Sequence, residues 1–367
     1  MGKRILAAGH ICLDITPVFP QENRCDSIGT KLVPGKLLQM QGVDVHTGGS
    51  VANTGLALKY LGADVKLLGK VGRDAFGDMV CQILKNHGAD GLITDEHSAT
   101  SYSVVLAVPG LDRIFLHDPG ANGTFSGGDI PDAALEDAAL LHFGYPPLMP
   151  RMYANGGREL TELFQRAKAH GVATSLDMAS VDPDSPAGQV DWERFLKNVL
   201  PLTDFFVPSF EELCFMLDRE KYEALWKQGG DILQNITMER DARPLARKCL
   251  AMGCGAVLIK CGTVGMYYMT GARDRIRSIS LLDADVWADR QGCQPCFRAE
   301  CVRSATGAGD TSIAAFLMAA CSGREPSRCA ALAAAEGACA VSAYDALSGL
   351  KTLAQLEQMI DAGWETM

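Results

Sequence analysis

The chain opens on a short apolar run, Ile5–Ala8, that ends at Gly9 and predicts a β-strand; His10–Ile15 continues it and delivers Asp14. Residues 17–47 change character. They are rich in Pro, Gly and polar groups, with brief alternation such as Lys36–Met40, and predict small strands and loops rather than core helices. From Gly48 the period changes again. Val51, Leu56, Ala57, Leu58 and Leu61 fall at helical spacing, and Gly62 supplies a stop. Val65–Val71 predicts a buried strand and Asp74–Asn86 a helix, with Phe76, Val80, Ile83 and Leu84 on one face. A strand followed by a helix, repeated, is the mark of a parallel sheet with both faces covered.

Ser101–Val108 and Arg113–His117 predict two strands joined by a hairpin turn over Pro109–Asp112. With residues 17–47 they could form a small antiparallel lid, covering about 15–47 and 97–120. The strand and helix rhythm then resumes. Strands are expected at Ala139–Phe143, Val172–Asp177, Phe205–Val207 and Ala256–Lys260. Helices are expected at Arg158–His170, Ser209–Leu217, Ala242–Met252, Ala308–Ser322, Glu325–Ala343 and Thr352–Ala362. Residues 283–300 read as a long loop or insertion, and no short tandem repeat is present. The expectation is one α/β domain over 1–367.

Composition narrows the function classes. With 47% hydrophobic and 21% charged residues in 367, the chain can bury a sizeable core. A net charge of −10 argues against broad nucleic-acid binding, which needs a basic face. The N-terminal apolar run is too short for a secretory leader, and the stretch near Ile313–Cys321 is about half of what spans a bilayer. The 13 cysteines are scattered through apolar runs, as buried free thiols are, which points to a reducing cytoplasm. Cys293 and Cys296, with Cys301 nearby, form a close cluster. No second CxxC or HxxxH completes a zinc site, so a loop is the expectation there.

The strongest chemical signal is Thr306-Gly307-Ala308-Gly309-Asp310 before the apolar run Ile313–Ala320. Small residues let backbone approach a ligand, and N–H groups at a helix start make an anion pocket. Asp310 at that pocket can accept the proton of an attacking hydroxyl; a helix cap after a glycine turn is the plainer alternative. No G-x-x-x-x-G-K-[ST] loop and no G-x-G-x-x-G after a first strand is present. A second signal is Gly48-Gly49-Ser50-Val51-Ala52-Asn53, followed by Gly72, Asp74 and Gly77 in a G-x-D-x-x-G arrangement.

Together these segments resemble the ribokinase-like (PfkB) family of carbohydrate and nucleoside kinases, nearly end to end. The resemblance implies a three-layer α/β/α domain with a mostly parallel central sheet and a small β lid. It implies transfer of the γ-phosphoryl group of ATP to a hydroxyl of a sugar-like alcohol. It makes Asp310 the base, and Gly307, Ala308 and Gly309 the anion hole. It places Asp14, Gly48, Gly49 and Asn53 on the sugar, with Arg113 and Asn122 of the lid and hinge beside them. Strand-end turn, helix surface and solvated strand are the plainer readings of Asp14, Asn53 and Arg113. Lys260, Gly262 and Gly265 match the family's strand-end segment along the nucleotide, with Thr306 and Gly307; Lys260 could also be simply solvated. Ala334–Ala343 and Asp345–Gly349 would flank the adenine.

Departures from the pattern matter. Glu212 falls on the family's magnesium-site glutamate, but Ser209 replaces its asparagine, and the pair also reads as a helix capping box. Asp177 lies at a strand end where open sheets bind ligands, but Ala179 stands at a later asparagine of that motif. Ser304, after Arg303, replaces an aspartate of the monovalent-cation site, a poor ligand set that predicts weak or absent K⁺ activation. Ser50, where ribokinases often have lysine, argues against strict ribokinase identity. A nucleoside kinase and a catalytically weak sugar sensor are the competing readings, and pairing of exposed lid edges predicts a homodimer.

Overall fold

The computed structural model describes residues 4–111, 113–229, 232–343 and 347–367. Met1–Lys3, Asp112 of the hairpin turn and Asp345 of the adenine segment lie outside the described residues. Among those described, the strands in chain order are β1 (Arg4–Gly9), β2 (Cys12–Pro17), β3 (Val43–Gly48), β4 (Val65–Leu68), β5 (Lys70–Gly72), β6 (Ile93–Asp95) and β7 (Tyr102–Leu106), then β8 (Ile114–Asp118), β9 (Ala138–Gly144), β10 (Ala173–Asp177), β11 (Phe205–Phe206), β12 (Ala256–Lys260), β13 (Met266–Thr270) and β14 (Gln291–Gln294).

Eight of them form one sheet in the order β14-β13-β12-β11-β10-β9-β1-β4. The six from β12 to β4 pair in parallel; β13 and β14 add an antiparallel edge. Both faces are covered. On β1, Leu6 and Ala8 enter the core that holds Phe143, Phe164 and Phe206, while Ile5 enters the opposite one with Phe205, Trp287 and Phe316. In that second core Phe205, Trp287 and Phe316 meet edge to face. The helix Pro326–Ala340, with Ala330, Ala331, Ala333, Ala334 and Ala335 buried, packs in the same core as Ala308–Cys321. Small side chains let two helices lie close together, so the second layer forms without bulky residues.

A separate four-stranded sheet, β3-β2-β7-β8, stands where the lid was expected, but it is mixed rather than antiparallel, because β2 and β7 pair in parallel. Its start differs from the sequence reading, which ran His10–Ile15 on from β1. The chain leaves the main sheet at Gly9, where φ is +122° and a Cβ would lie 2.2 Å from the Gly144 carbonyl oxygen. Asp14 therefore stands on the lid sheet. Val65–Val71 is likewise two strands, not one: β4 stays in the main sheet and β5 pairs with β6. At the break, Gly69 packs under Ile11, and a Cβ there would meet its Cγ2 at 2.8 Å. The run Lys36–Met40 forms no strand; single-turn helices at Gln21–Asn23 and Ile28–Thr30 fill part of that segment. Residues 283–300, expected as a loop, contain a helical turn at Ala284–Trp287 and the edge strand β14. The helix expected at Arg158–His170 is found there, preceded by a separate helical turn from Pro150 and set off from it by non-helical backbone over Ala154–Gly157.

The G-x-D-x-x-G segment is a structural corner. Asp74 caps the helix Ala75–Asn86 by accepting from the Gly77 amide at 2.8 Å, and its other oxygen accepts from the Thr100 amide at 2.7 Å. A Cβ on Gly77 would lie 2.2 Å from the Gly72 carbonyl oxygen, and one on Gly72 would lie 2.3 Å from that of Ser98. The motif ties the root of the lid to the main body.

Candidate active site

Asp310 sits in the first turn of the helix Ala308–Cys321, entered through Gly307 in a left-handed conformation (φ 74°). It is 4% exposed. Its carboxylate accepts from Asn53 Nδ2 at 2.9 Å, Thr54 Oγ1 at 3.3 Å and the Tyr145 hydroxyl at 2.8 and 2.9 Å. Burial pushes its pKa above the ordinary carboxylate value, against the pull of these donors and of Lys260. A carboxylate raised in this way takes up a proton more readily than an exposed one.

Asn53 and Thr54 lie on the helix Ser50–Tyr60, whose start is set by Gly49 (φ 87°). A Cβ on Gly49 would lie 2.6 Å from the carbonyl oxygen of His10, and one on Gly48 would lie 2.2 Å from Asp14 Oδ2. Both glycines are there for close approach. Asp14 accepts from Cys12 Sγ at 3.2 Å, and burial raises its pKa, with Asp310 adding to the rise. The charge of Asp310, on the main body, thus bears on Asp14 of the lid.

Lys260, at the end of β12, donates to Asp177 at the end of β10, at 2.8 Å. Its side chain is 13% exposed. Burial works against its charge, but Asp177 and Glu212 outweigh it and hold its pKa above the usual value. A Cβ built on Gly309 would be 3.9 Å from Nζ, so the ammonium group stands at the glycine-rich turn. Gly262 and Gly265 flank the turn after β12 with φ of 52° and 120°. A Cβ on Gly265 would lie 2.3 Å from the Gln294 carbonyl oxygen.

Glu212 and Ser209 form the full capping box: Oε2 accepts from the Ser209 amide at 2.7 Å, and Ser209 Oγ accepts from the Glu212 amide at 3.2 Å. Arg113 reaches across from the lid to donate to Thr306 Oγ1. Ser304 Oγ bonds to the same hydroxyl at 3.0 Å and accepts from the Thr306 amide at 3.1 Å. The Ala308 amide bonds to the Ala305 carbonyl at 3.4 Å. Asn122 has a different task from the one the sequence suggested. It is fully buried, and its side-chain amide bonds both the N–H and the carbonyl of Ile11, at 3.1 and 2.9 Å. It fixes the corner between β1 and β2. Cys293, Cys296 and Cys301 are free thiols, and Cys296 Sγ donates to the Gly262 carbonyl at 3.0 Å. Among the described residues, no group of three or more His, Cys, Asp or Glu is placed to hold a metal.

Two residues that sequence reasoning passed over complete the constellation. Tyr145 follows β9 with φ 67°, left-handed for a non-glycine, and donates to Asp310. The Gly144-Tyr145-Pro146-Pro147 turn at a strand end was the available signal. Thr54 was hidden inside a helical run.

A mostly parallel sheet, a β lid and a buried aspartate at a glycine-rich helix start, with a lysine alongside, define an alcohol phosphotransferase of the sugar-kinase kind. The chain belongs to the pfkB family of carbohydrate kinases, which it matches over residues 5–353. It is 24% identical over 248 residues to fructokinase-2 of Oryza sativa subsp. japonica, covering 65% of this chain and 69% of that one. A fructokinase from Xylella fastidiosa solved with bound ATP superposes with a TM-score of 0.72 at 22% identity, covering 99% of both chains. An Arabidopsis thaliana ribokinase complexed with ribose and ATP gives 0.70 at 19% identity, covering 98% of this chain and 99% of that one.

Proposed function

We propose that residues 1–367 work as one unit that moves the γ-phosphoryl group of ATP to a hydroxyl of a sugar. The observation that carries the reading is the buried Asp310 carboxylate at the start of a helix, held by Asn53, Thr54 and Tyr145. An acceptor hydroxyl displacing one of those donors gives its proton to Asp310. Its oxygen then forms the new bond to the γ-phosphorus, and the bond from that phosphorus to the departing ADP oxygen breaks. The amides of Gly307 and Gly309, that of Ala308 once it leaves the Ala305 carbonyl, and the ammonium of Lys260 take up the charge that develops on the phosphoryl oxygens. Arg113, already bonded to Thr306, brings a second cation from the lid. Asp14, with the backbone of Gly48 and Gly49 and the side chain of Asn53, holds the acceptor, while Gly262, Gly265 and Thr306 line the nucleotide.

Mg²⁺ fits the donor set. Glu212 spends Oε2 on its cap, which leaves Oε1 for a hard cation directly or through water, and Asp177 adds oxygen nearby. Bound there, the ion would neutralise phosphate charge. The Ser304 hydroxyl is engaged in the turn with Thr306, which supports a site that does not depend on K⁺. The free thiols suit a reducing cytoplasm. Exposed Ile114, Phe115 and Leu116 on the lid edge strand β8 support a homodimer joined through the lids. The reading is tested by ADP release from Mg-ATP across pentoses, hexoses, sugar acids, inositols and nucleosides. Selective turnover of a sugar supports it; turnover of nucleosides alone overturns it.

A further inference from the structure

His10 follows Gly9 at the end of β1 and is 2% exposed. Among the described residues, its Nδ1 is a buried polar atom with no hydrogen-bond partner. Such atoms are rare because leaving them unpaired is costly, so this one asks for a reason. Its location supplies one. A Cβ on Gly49 would lie 2.6 Å from Nδ1, so the nitrogen sits directly over that glycine. The neighbouring Gly48 lies under Asp14 in the same way. The His10 ring is also 6.0 Å from that of Tyr145, which bonds Asp310. The bare nitrogen therefore lies over the glycine pair, on a ring beside the tyrosine that bonds Asp310.

The other ring nitrogen is engaged. His10 Nε2 faces Nε2 of His117 on lid strand β8 at 3.3 Å, and His117 Nδ1 faces Ser103 Oγ on β7 at 3.1 Å. Between two neutral imidazoles, the first contact holds one proton. With that proton on His10, Nδ1 is an acceptor, and His117 donates to Ser103. With it on His117, Nδ1 of His10 is a donor, and Ser103 donates to His117. A hydroxyl satisfies either arrangement, since it both donates and accepts. A carboxylate satisfies only the second, and it would also add negative charge near Asp14 and Asp310.

We propose that His10 is a specificity residue of the acceptor cleft: its Nδ1 takes a hydroxyl of a neutral polyhydroxylated sugar, and His117 of the lid holds the ring in place for it. The inference rests on the kinase reading and deepens it, since it selects neutral sugars over sugar acids.

The test is steady-state kinetics with Mg-ATP and D-fructose, D-ribose, D-glucose and D-gluconate as acceptors. It uses wild type, His10→Gln, His10→Asn and His117→Phe. Gln keeps a polar atom near the place of Nε2 and loses Nδ1; Asn does the reverse. On the best neutral sugar, His10→Gln should raise the acceptor KM about tenfold or more with the ATP KM unchanged, and His10→Asn should stay within about threefold. The opposite order would overturn the inference, leaving His10 as a prop for the lid. If both His10 variants fail to fold, His117→Phe decides. A rise of about fivefold or more in acceptor KM alone supports the pair, and an unchanged KM overturns it. Preference of wild type for D-gluconate also overturns it while the kinase reading stands. No ADP release with any acceptor overturns the kinase reading, and the inference falls with it.

Discussion

The Tyr145 hydroxyl stands 2.8 and 2.9 Å from the two carboxylate oxygens of Asp310, so a single phenol proton serves both. The contact depends on a left-handed backbone at Tyr145, a conformation that non-glycine residues adopt at a cost of about 1–3 kcal/mol. It follows Gly144, where a Cβ would lie 1.9 Å from Ser50 Oγ. The turn is built to deliver that hydroxyl. Donation to the ionised carboxylate lowers the Asp310 pKa, so Tyr145→Phe raises it further. The acidic limb of kcat/KM against pH should move up by about one unit, as expected for a hydrogen bond to a charged group. An unmoved limb would show that Tyr145 does not tune the base.

Lys260 and Asp177 form a buried ion pair close to the glycine-rich turn. Burial raises the Asp177 pKa well above the ordinary value, and Lys260 pulls against that rise. Lys260→Met leaves the carboxylate buried without its partner, and should cost about 3–5 kcal/mol at neutral pH by denaturant titration. The loss should shrink as pH falls and Asp177 takes up a proton. Adding Asp177→Asn should recover stability without restoring turnover. Equal stability of Lys260→Met and wild type would mean that the pair is not formed in solution.

Glu336 is a buried carboxyl on the helix Pro326–Ala340, pushed up to about 8 by burial. Its ordinary value is 4.5, so between about 4.5 and 8 the folded chain holds a proton that the unfolded chain has released. Stability from this group is therefore lost as pH rises through that window. Glu336→Gln keeps a carbonyl for the Lys351 amide, which Oε2 accepts at 3.2 Å, and removes the titration. The melting temperature of the variant relative to wild type should be higher at pH 8.5 than at pH 5. A difference that does not change with pH would contradict this.

Ser304 gives a prediction about ions. Its hydroxyl both donates to and accepts from Thr306, and serine beside Arg303 offers no anionic ligand. Rates in K⁺ and in tetramethylammonium should agree within about twofold. A large stimulation by K⁺ would contradict it.

What the sequence made legible was local. Gly307–Asp310, Gly48–Gly49 and the hairpin strands expected at Ser101–Val108 and Arg113–His117 are short segments whose residue types reflect backbone geometry within the segment, and each lies where the pattern put it, whereas the alternation over Lys36–Met40 made no strand. The missed parts depend on pairings across the sheet. Lys260 meets Asp177 only because β10 and β12 flank β11. Tyr145 meets Asp310 only once the helix Ala308–Cys321 packs over the end of β9, and His10 meets His117 only once β8 of the lid lies beside the end of β1. Asn122 went the other way. Its motif neighbours suggested a ligand role, but the chain turn at Gly9 left the Ile11 backbone in need of a partner, and Asn122 supplies it. The splitting of Val65–Val71 is likewise invisible to an apolar run, because the chain is buried without interruption from Leu67 through Gly72, across the break.

The most direct measurement is turnover of Asp310→Asn beside wild type on the best sugar acceptor, with ATP binding followed by calorimetry. Asparagine keeps the shape and cannot accept the hydroxyl proton. The account predicts a fall in kcat of about a thousandfold or more, with ATP affinity within a few-fold of wild type. Turnover within about tenfold of wild type would contradict the assignment of Asp310 as the base.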